Sequence, residues 1–287
     1  MTQNNLKYSQ NFLKSQILVK ELIEKTNINS QDIVYEIGPG KGIITDQLIK
    51  ICKNVVGIEK DQKLYNDLVQ RFKDNQKIEV KYGDFLKYDL PKDKEYKIFS
   101  NIPFDITADI VKKIISTDNP PKESYLIIQK EAAKKFIGFP YSNRTQMEAL
   151  LLGPWFKIEV IHEFKRIDFE PIPQVDSVLI HIKKRDDPLI DQKQLYKDFV
   201  VYAFSQWKGN LRFSLNRIFT HEQFKRLTKD LGFDINAKTT ELNFNQWIGL
   251  FNYFLRGAAD FKKALILGVE KRFKNQQSKL IKIHRTR

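Results

Sequence analysis

With one cysteine, Cys52, the chain cannot close an intrachain disulfide, and this usage predicts a reducing compartment. Its four histidines (His162, His181, His221, His284) are scattered, and with a single thiol they give no metal-site spacing. No segment approaches the ~18 consecutive apolar residues of a membrane helix. The opening Thr2-Gln3-Asn4-Asn5 is polar and carries no signal-peptide apolar core, so a cytoplasmic protein is expected. Internal repeats and low-complexity tracts are missing too. Negative charge is in short supply: 35 Asp and Glu stand against 49 Lys and Arg, a formal net charge of +14. The excess is uneven, because Phe261 to Arg287 holds nine basic residues against Glu270 alone, a local net of +8. A basic body with a more basic tail points to a polyanion, most simply nucleic acid. The plainer alternative is a solvated charged surface.

What is present is a chain of 287 residues, 41% apolar, with room for one large domain and a smaller one. Ile17 to Thr26 is amphipathic, with Ile17, Leu18, Leu22 and Ile23 at helical spacing. Ile33 to Ile37 reads as a buried strand, followed by Gly38-Pro39-Gly40-Lys41-Gly42 and a helix over about Ile43 to Cys52. Val55 to Ile58 is a strand ending at Glu59. A helix over Gln62 to Phe72, the strand Ile78 to Val80 and the turn Gly83-Asp84 come next. Strand and helix alternating at this spacing predict a parallel sheet covered on both faces. Such a sheet takes ligands beyond the carboxyl ends of its strands, where the strand order switches.

Four stretches fall at those ends. The glycines let a ligand approach the backbone closely, and Glu59 is placed to accept from both hydroxyls of a ribose. Asp84 is placed to accept from an adenine amino group, or else simply to cap a turn. Asn101-Ile102-Pro103-Phe104 follows the apolar run at Tyr96 to Phe99. Its proline stiffens the turn and pushes Ile102 toward an extended conformation. That corner presents a neutral amide acceptor beside an aromatic face, which suits an exocyclic amine on a nucleobase. The spacing G-x-G-x-G with a ribose acid is ambiguous between nicotinamide and adenosyl cofactors. A hydride-transfer site has no evident use for Asp84 and the Asn101 corner.

Gln10-Asn11-Phe12, Glu36 through Gly42, Glu59, Gly83-Asp84, Asn101 through Phe104, and Phe169-Glu170-Pro171 through Val175-Asp176-Ser177 run in order over about residues 6 to 182. In these stretches the chain resembles the ribosomal RNA adenine N6-dimethyltransferases. The resemblance implies a Rossmann-like α/β methyltransferase sheet with a small α-helical C-terminal domain. It also implies S-adenosylmethionine as cofactor and ribosomal RNA as partner. Phe219 to Phe224 and Asn245 to Phe251 resemble the erythromycin-resistance branch, which acts on large-subunit RNA. The expected product is then N6-methylated or dimethylated adenine in 23S RNA, giving macrolide-lincosamide-streptogramin B resistance. The alternatives are the housekeeping 16S enzyme, or a binding factor that kept the fold; the intact Glu59, Asp84 and Asn101 argue against a pure binder.

Carried over residue by residue, the resemblance implies that Gln10, Asn11 and Phe12 close over the cofactor and its methionine end, with Leu13 beside them. Gly38 and Gly40 let the backbone meet its methionine and ribose parts, and Glu36 is counted among the cofactor-binding residues. Glu59 holds the ribose hydroxyls and Asp84 the adenine, with Lys60, Phe85 and Asn101 also counted among the cofactor-binding residues. Asn101 and the Ile102 carbonyl accept from the target amine, Pro103 stiffens the corner, Phe104 stacks on the base, and Phe169 supplies a second aromatic wall. Tyr is usual where Phe104 stands, so the stacking face is kept and a hydroxyl is lost. No metal is expected.

The remainder is expected to serve RNA. Lys130, Lys134 and Lys135 begin a helix, and Arg144 lies in the loop after it, where Gly138 and Pro140 break the helix. These residues would meet phosphates. Ser177 to Ile182 is expected to close the sheet. The domain reading is 1–182 catalytic, 183–191 linker, 192–260 helical and RNA-binding, and 261–287 a helix end running into a flexible, basic, RNA-binding arm. The helical part places Leu195, Phe199, Tyr202 and Ala203, and Trp247, Ile248, Phe251 and Phe254, on buried stripes. A monomer acting on RNA before full ribosome assembly, with no membrane association, completes the expectation.

Overall fold

A computed structural model describes residues 11–138, 141–206 and 209–285. The chain divides into two compact units, one from Met1–Ala133 and Phe156–Lys184, the other from Lys134–Trp155 and Arg185–Arg287. The sequence reading kept residues 134–155 with the catalytic part. The structure sends them to the helical unit because their bonds lie there. Thr145 donates its N–H to Thr240 at 2.8 Å and its hydroxyl to Leu242 at 2.5 Å, and Leu150 belongs to that unit's core.

The first unit is a seven-stranded sheet. Its strands are β2 (Ile33–Ile37), β3 (Asn54–Glu59), β4 (Ile78–Tyr82), β5 (Lys97–Asn101), β6 (Glu123–Gln129), β7 (Phe156–Glu163) and β9 (Ser177–Lys184), in the order β4-β3-β2-β5-β6-β9-β7. Strands β4 to β6 in that order run parallel, and β9 and β7 are antiparallel additions. The central strands are near-continuous apolar runs, as burial on both faces requires. Val34, Val55, Ile98, Phe99, Leu126 and Ile127 are fully buried. A separate two-residue strand, β1 (Phe12–Leu13), pairs antiparallel with β8 (Phe169–Glu170).

Helix α1 (Gln16–Glu24) precedes the first parallel strand, and α2 (Thr45–Ile51), α3 (Gln62–Arg71) and α4 (Thr107–Ser116) connect β2 to β3, β3 to β4 and β5 to β6. Local chemistry sets two of their starts. Ser15 accepts from the Leu18 amide, and Asp61 from the amides of Lys63 and Leu64, satisfying donors a helix cannot satisfy itself. The chain runs outward from β2 through β3 to β4, then returns to lay β5 on the other side of β2. The order therefore switches between β2 and β5, the point at which open α/β sheets take their ligands beyond the carboxyl ends.

Strand β9 does not close the sheet as expected, since β7 lies outside it. Sequence reasoning passed over β7, whose apolar positions Phe156, Ile158 and Val160 alternate with Lys157 and Glu159 before a bulge shifts the register between Val160 and His162.

The second unit is helical: α5 (Lys130–Ile137) leads into it, then α6 (Met147–Leu152), α7 (Lys193–Ser205), α8 (Leu211–Ser214), α9 (His221–Leu231), α10 (Phe244–Gly257), α11 (Asp260–Ile266) and α12 (Val269–Arg285). Its core gathers Tyr196, Phe199, Phe224, Trp247, Phe251 and Phe254, so these aromatics are structural. Thr220 and Asn243 form capping boxes with Gln223 and Gln246 that fix the starts of α9 and α10. Among the described residues no helix is long and apolar enough to cross a membrane.

Candidate active site

At the end of β2 the Ile37 amide donates to the buried Ser100 hydroxyl at 2.6 Å, locking the tips of β2 and β5 side by side. The chain then turns through Gly38 (φ +62°) and Gly40 (φ +60°), a region costly for residues with a Cβ. At Gly38 the space a Cβ would enter is open. At Gly40 a Cβ would stand 2.6 Å from Cε1 of Phe12, so that glycine is needed for room as well as for φ. Phe12 is held over the turn by the β1–β8 pair, and the Lys41 ammonium lies 5.3 Å from its ring centre.

Three carboxylates sit around this turn. Glu59, 4% exposed at the tip of β3, accepts from the Gly40, Lys60 and Asp61 amides, each at 2.9 Å. It thus splints the glycine turn while keeping lone pairs for a ligand hydroxyl, since a carboxylate offers about four acceptor sites. Glu36 is buried beneath, with the Thr45 hydroxyl donating to it at 2.6 Å. Burial pushes Glu36 up to about 8, against the pull of that hydroxyl and with help from Glu59 and Asp46. It is therefore largely a neutral acid at pH 7. Asp84 accepts from the Leu86 amide and from the Lys60 ammonium, each at 2.9 Å. Partial burial opposes its charge, but Lys60 and the Leu86 amide outweigh that and hold its carboxyl below the usual range. Capping the short turn at Phe85–Lys87 and presenting a carboxylate are thus two uses of one side chain.

The corner lies across the switch point. Asn101 ends β5, and its Nδ2 donates to the Asn11 carbonyl at 2.6 Å. A carbonyl can only accept, so this bond fixes the amide flip and leaves Oδ1 as the outward acceptor. Among the described residues no donor meets Oδ1 or the Ile102 carbonyl. The Ile102 side chain is buried and its amide donates to Ile127 at 3.3 Å, so the corner is anchored on β6. Pro103 and Phe104 follow, half-buried, where a short 3-10 turn opens α4, and the Thr107 hydroxyl donates to the Phe104 carbonyl at 3.2 Å.

The structure brings Asn11, Phe12, Gly38, Gly40, Glu59, Lys60, Asp84 and Asn101 to one edge of the sheet, with Glu36, Leu13 and Phe85 buried behind it. Gln10 lies outside the described residues. Phe169 does not fit its expected role. It is completely buried, paired with Leu13 and packed 5.1 Å from the Phe164 ring, so it offers no face to a base. It is a core anchor for the strand that holds Phe12. Sequence reasoning missed Ser100, Thr45 and the Asn11 carbonyl, which carry no residue-type signal because small hydroxyls and backbone groups occur everywhere. Of the basic residues, Lys130 is bound to Glu163 at 2.9 Å, while Lys135 and Arg144 are exposed.

Residues 1–256 match the family described as Ribosomal RNA adenine dimethylase. An rRNA adenine N-6-methyltransferase of Limosilactobacillus reuteri is 33% identical over 256 residues, covering 88% of this chain and 98% of its own. One from Escherichia coli is 32% identical over 254 residues, covering 88% and 96%. Among solved structures, the 23S rRNA methyltransferase ErmE superposes with a TM-score of 0.79 at 25% identity, covering 86% of this chain and all of its own. A dimethyladenosine transferase from Plasmodium falciparum has the same fold, with a TM-score of 0.68 at 21% identity. On these matches the chain belongs to the ribosomal RNA adenine dimethylase family.

Proposed function

We propose that this protein transfers methyl groups from S-adenosylmethionine to N6 of an adenine in large-subunit ribosomal RNA, and so confers resistance to macrolide-type antibiotics. The observation that carries the reading is the anchored Asn101 amide. One of its two N–H donors is bonded to the Asn11 carbonyl, which orients the amide and leaves Oδ1 as an acceptor with no donor among the described residues. The fit of the cofactor rests on the turn at Gly38, open where a side chain would lie, flanked by the Glu59 and Asp84 carboxylates at successive strand ends. Glu59 would hold the ribose hydroxyls, Asp84 the adenine amine, and the Gly38–Gly40 backbone the methionine end. When bound, S-adenosylmethionine supplies an electrophilic methyl group on a positively charged sulfur.

An adenine N6 lone pair is delocalised into its ring and is a poor nucleophile. Asn101 Oδ1 and the Ile102 carbonyl accept the two amine protons and draw the nitrogen toward tetrahedral geometry, freeing the lone pair. Phe104 stacks on the ring and holds it in line. This is positioning and electrostatics, with no strong base needed, and the proton leaves after transfer. The target base must first be unpaired or swung out of its stack. The exposed Lys135 and Arg144 are suited to RNA phosphates. The large-subunit choice is supported by the likeness to the 23S rRNA methyltransferase ErmE.

The test uses radiolabelled S-adenosylmethionine with protein-free large- and small-subunit RNAs, read by primer extension. Label at a single adenine of the large-subunit RNA is expected, together with macrolide tolerance in a sensitive host. Label confined to the small-subunit RNA would overturn the resistance reading in favour of the housekeeping activity.

A further inference from the structure

The family match stops at residue 256, yet the chain continues into ordered helices. Helix α11 buries Ile266 completely, and Leu265 and Val269 pack beside it on the core of the helical unit. Lys262 donates to the Ile218 carbonyl at 2.7 Å. Between α11 and α12 the chain turns at Gly268, and there the fully buried Asp198 of α7 accepts from the amides of Gly268 at 3.0 Å and Glu270 at 2.8 Å. A buried carboxylate is costly unless donors meet it. Here it is met by amides at the start of α12, which the helix itself cannot satisfy. The start of α12 is thus tied to α7 at two points, and the core sets its direction.

The exposed positions described along α12 are Lys271, Arg272, Lys274, Asn275, Gln276, Gln277 and Lys279, all polar or basic. Lys274 pairs with Glu270, and Arg272 donates to the Leu267 carbonyl at 3.1 Å. Lys271 and Lys279 meet no acidic partner among the described residues. At ~100° per residue, positions 271, 275 and 279 fall within about a quarter turn of one another. We propose that α12 is an RNA-contacting helix outside the extent of the family match, meeting phosphates with Lys271 and Lys279 in addition to the contacts that deliver the target base. The inference deepens the RNA reading above and rests on it. A lipid surface would call for an exposed apolar stripe, and the exposed positions described along α12, from Lys271 to Lys279, carry none. Phosphate chains need only spaced, directed cations.

The test is full-length K271Q/K279Q, first checked for an unchanged melting temperature, against labelled ribosomal RNA fragments from about 50 to 300 mM salt. Two lost phosphate contacts should lower the slope of log affinity against log salt by about 1.5. KM for RNA should rise roughly fivefold or more with the same salt sensitivity. Turnover at saturating RNA and affinity for S-adenosylhomocysteine should stay as in the parent. An unchanged slope and KM would overturn the inference even if the parent methylates RNA well. Binding of the parent to phosphatidylserine vesicles that the double variant loses, with RNA binding unaltered, would overturn it in favour of a membrane surface. Failure of the methyl-transfer reading looks different: neither protein would label RNA, while the salt slopes would still report on α12.

Discussion

The proposed mechanism asks two things of the Asn101 side chain, acceptance from the target amine beside its observed donation to the Asn11 carbonyl. Substitutions can separate them. Asn101→Ala removes both and should lower kcat by about 10²–10³-fold, the usual scale for one aimed electrostatic group. Asn101→Asp keeps an acceptor but sets a carboxylate oxygen against the Asn11 carbonyl, where repulsion turns the group away. It should be impaired nearly as much, with affinity for S-adenosylhomocysteine within about threefold of the parent in both cases. Single-turnover transfer and calorimetric binding read the two quantities. Near-normal turnover in Asn101→Asp would mean that the Asn11 bond does not orient the amide. In the same proposal Phe104 needs only its ring face to stack on the base.

Among the elements, the join between α11 and α12 depends most on one side chain. Asp198→Ala would strand the Gly268 and Glu270 amides in a buried setting and should cost about 2 kcal/mol. Hydrogen exchange at the first turn of α12 should speed up. Asp198→Asn, which keeps an acceptor, should recover part of the loss. No change in melting temperature or exchange for Asp198→Ala would mean that the helix is held by its apolar contacts alone. This join was also the hardest to read from sequence. Buried aspartates have no local pattern, and the alternation of Leu, Ile and Lys after Phe261 suits a frayed helix end as well as a docked one. The parallel strands were legible because β2, β3 and β5 are apolar runs bounded by turns, and the glycine turn, Glu59 and Asn101 followed from strand ends. Strand β7 was hidden because its Lys157 and Glu159 face solvent as an edge strand's do. Phe169 was misread because an aromatic at a motif position looks the same whether it stacks on a base or on Phe164.

Across the whole molecule, titratable groups held away from their ordinary values predict how stability varies with pH. Glu36 titrates at about 8 in the folded protein and at 4.5 when ordinary, so between those values the native state holds a proton that the unfolded chain has released. Stability must therefore fall as pH rises through that window. Other groups set the acid limb. Burial pushes His181 below 6.5 despite Glu123 and Glu159 beside it, so stability falls as pH drops through that range. Asp84 and Glu123 are held low, Glu123 because the Tyr125 hydroxyl and Asn27 amide outweigh its burial. Both lose their contribution as pH falls below the ordinary carboxylate range. The net charge of +14 works the other way from Glu36, because self-repulsion eases as pH rises. Glu36→Gln separates the two effects. It preserves shape and an acceptor for the Thr45 hydroxyl, and changes net charge by one at most. Melting curves from about pH 5 to 8.5 should show the parent losing several degrees on the alkaline side. The variant should be flatter there and higher than the parent at pH 8, with the two nearly equal at pH 5. Parallel curves would mean that Glu36 is ionised in the native protein, and that the buried end of β2 carries a charge met by more than Thr45.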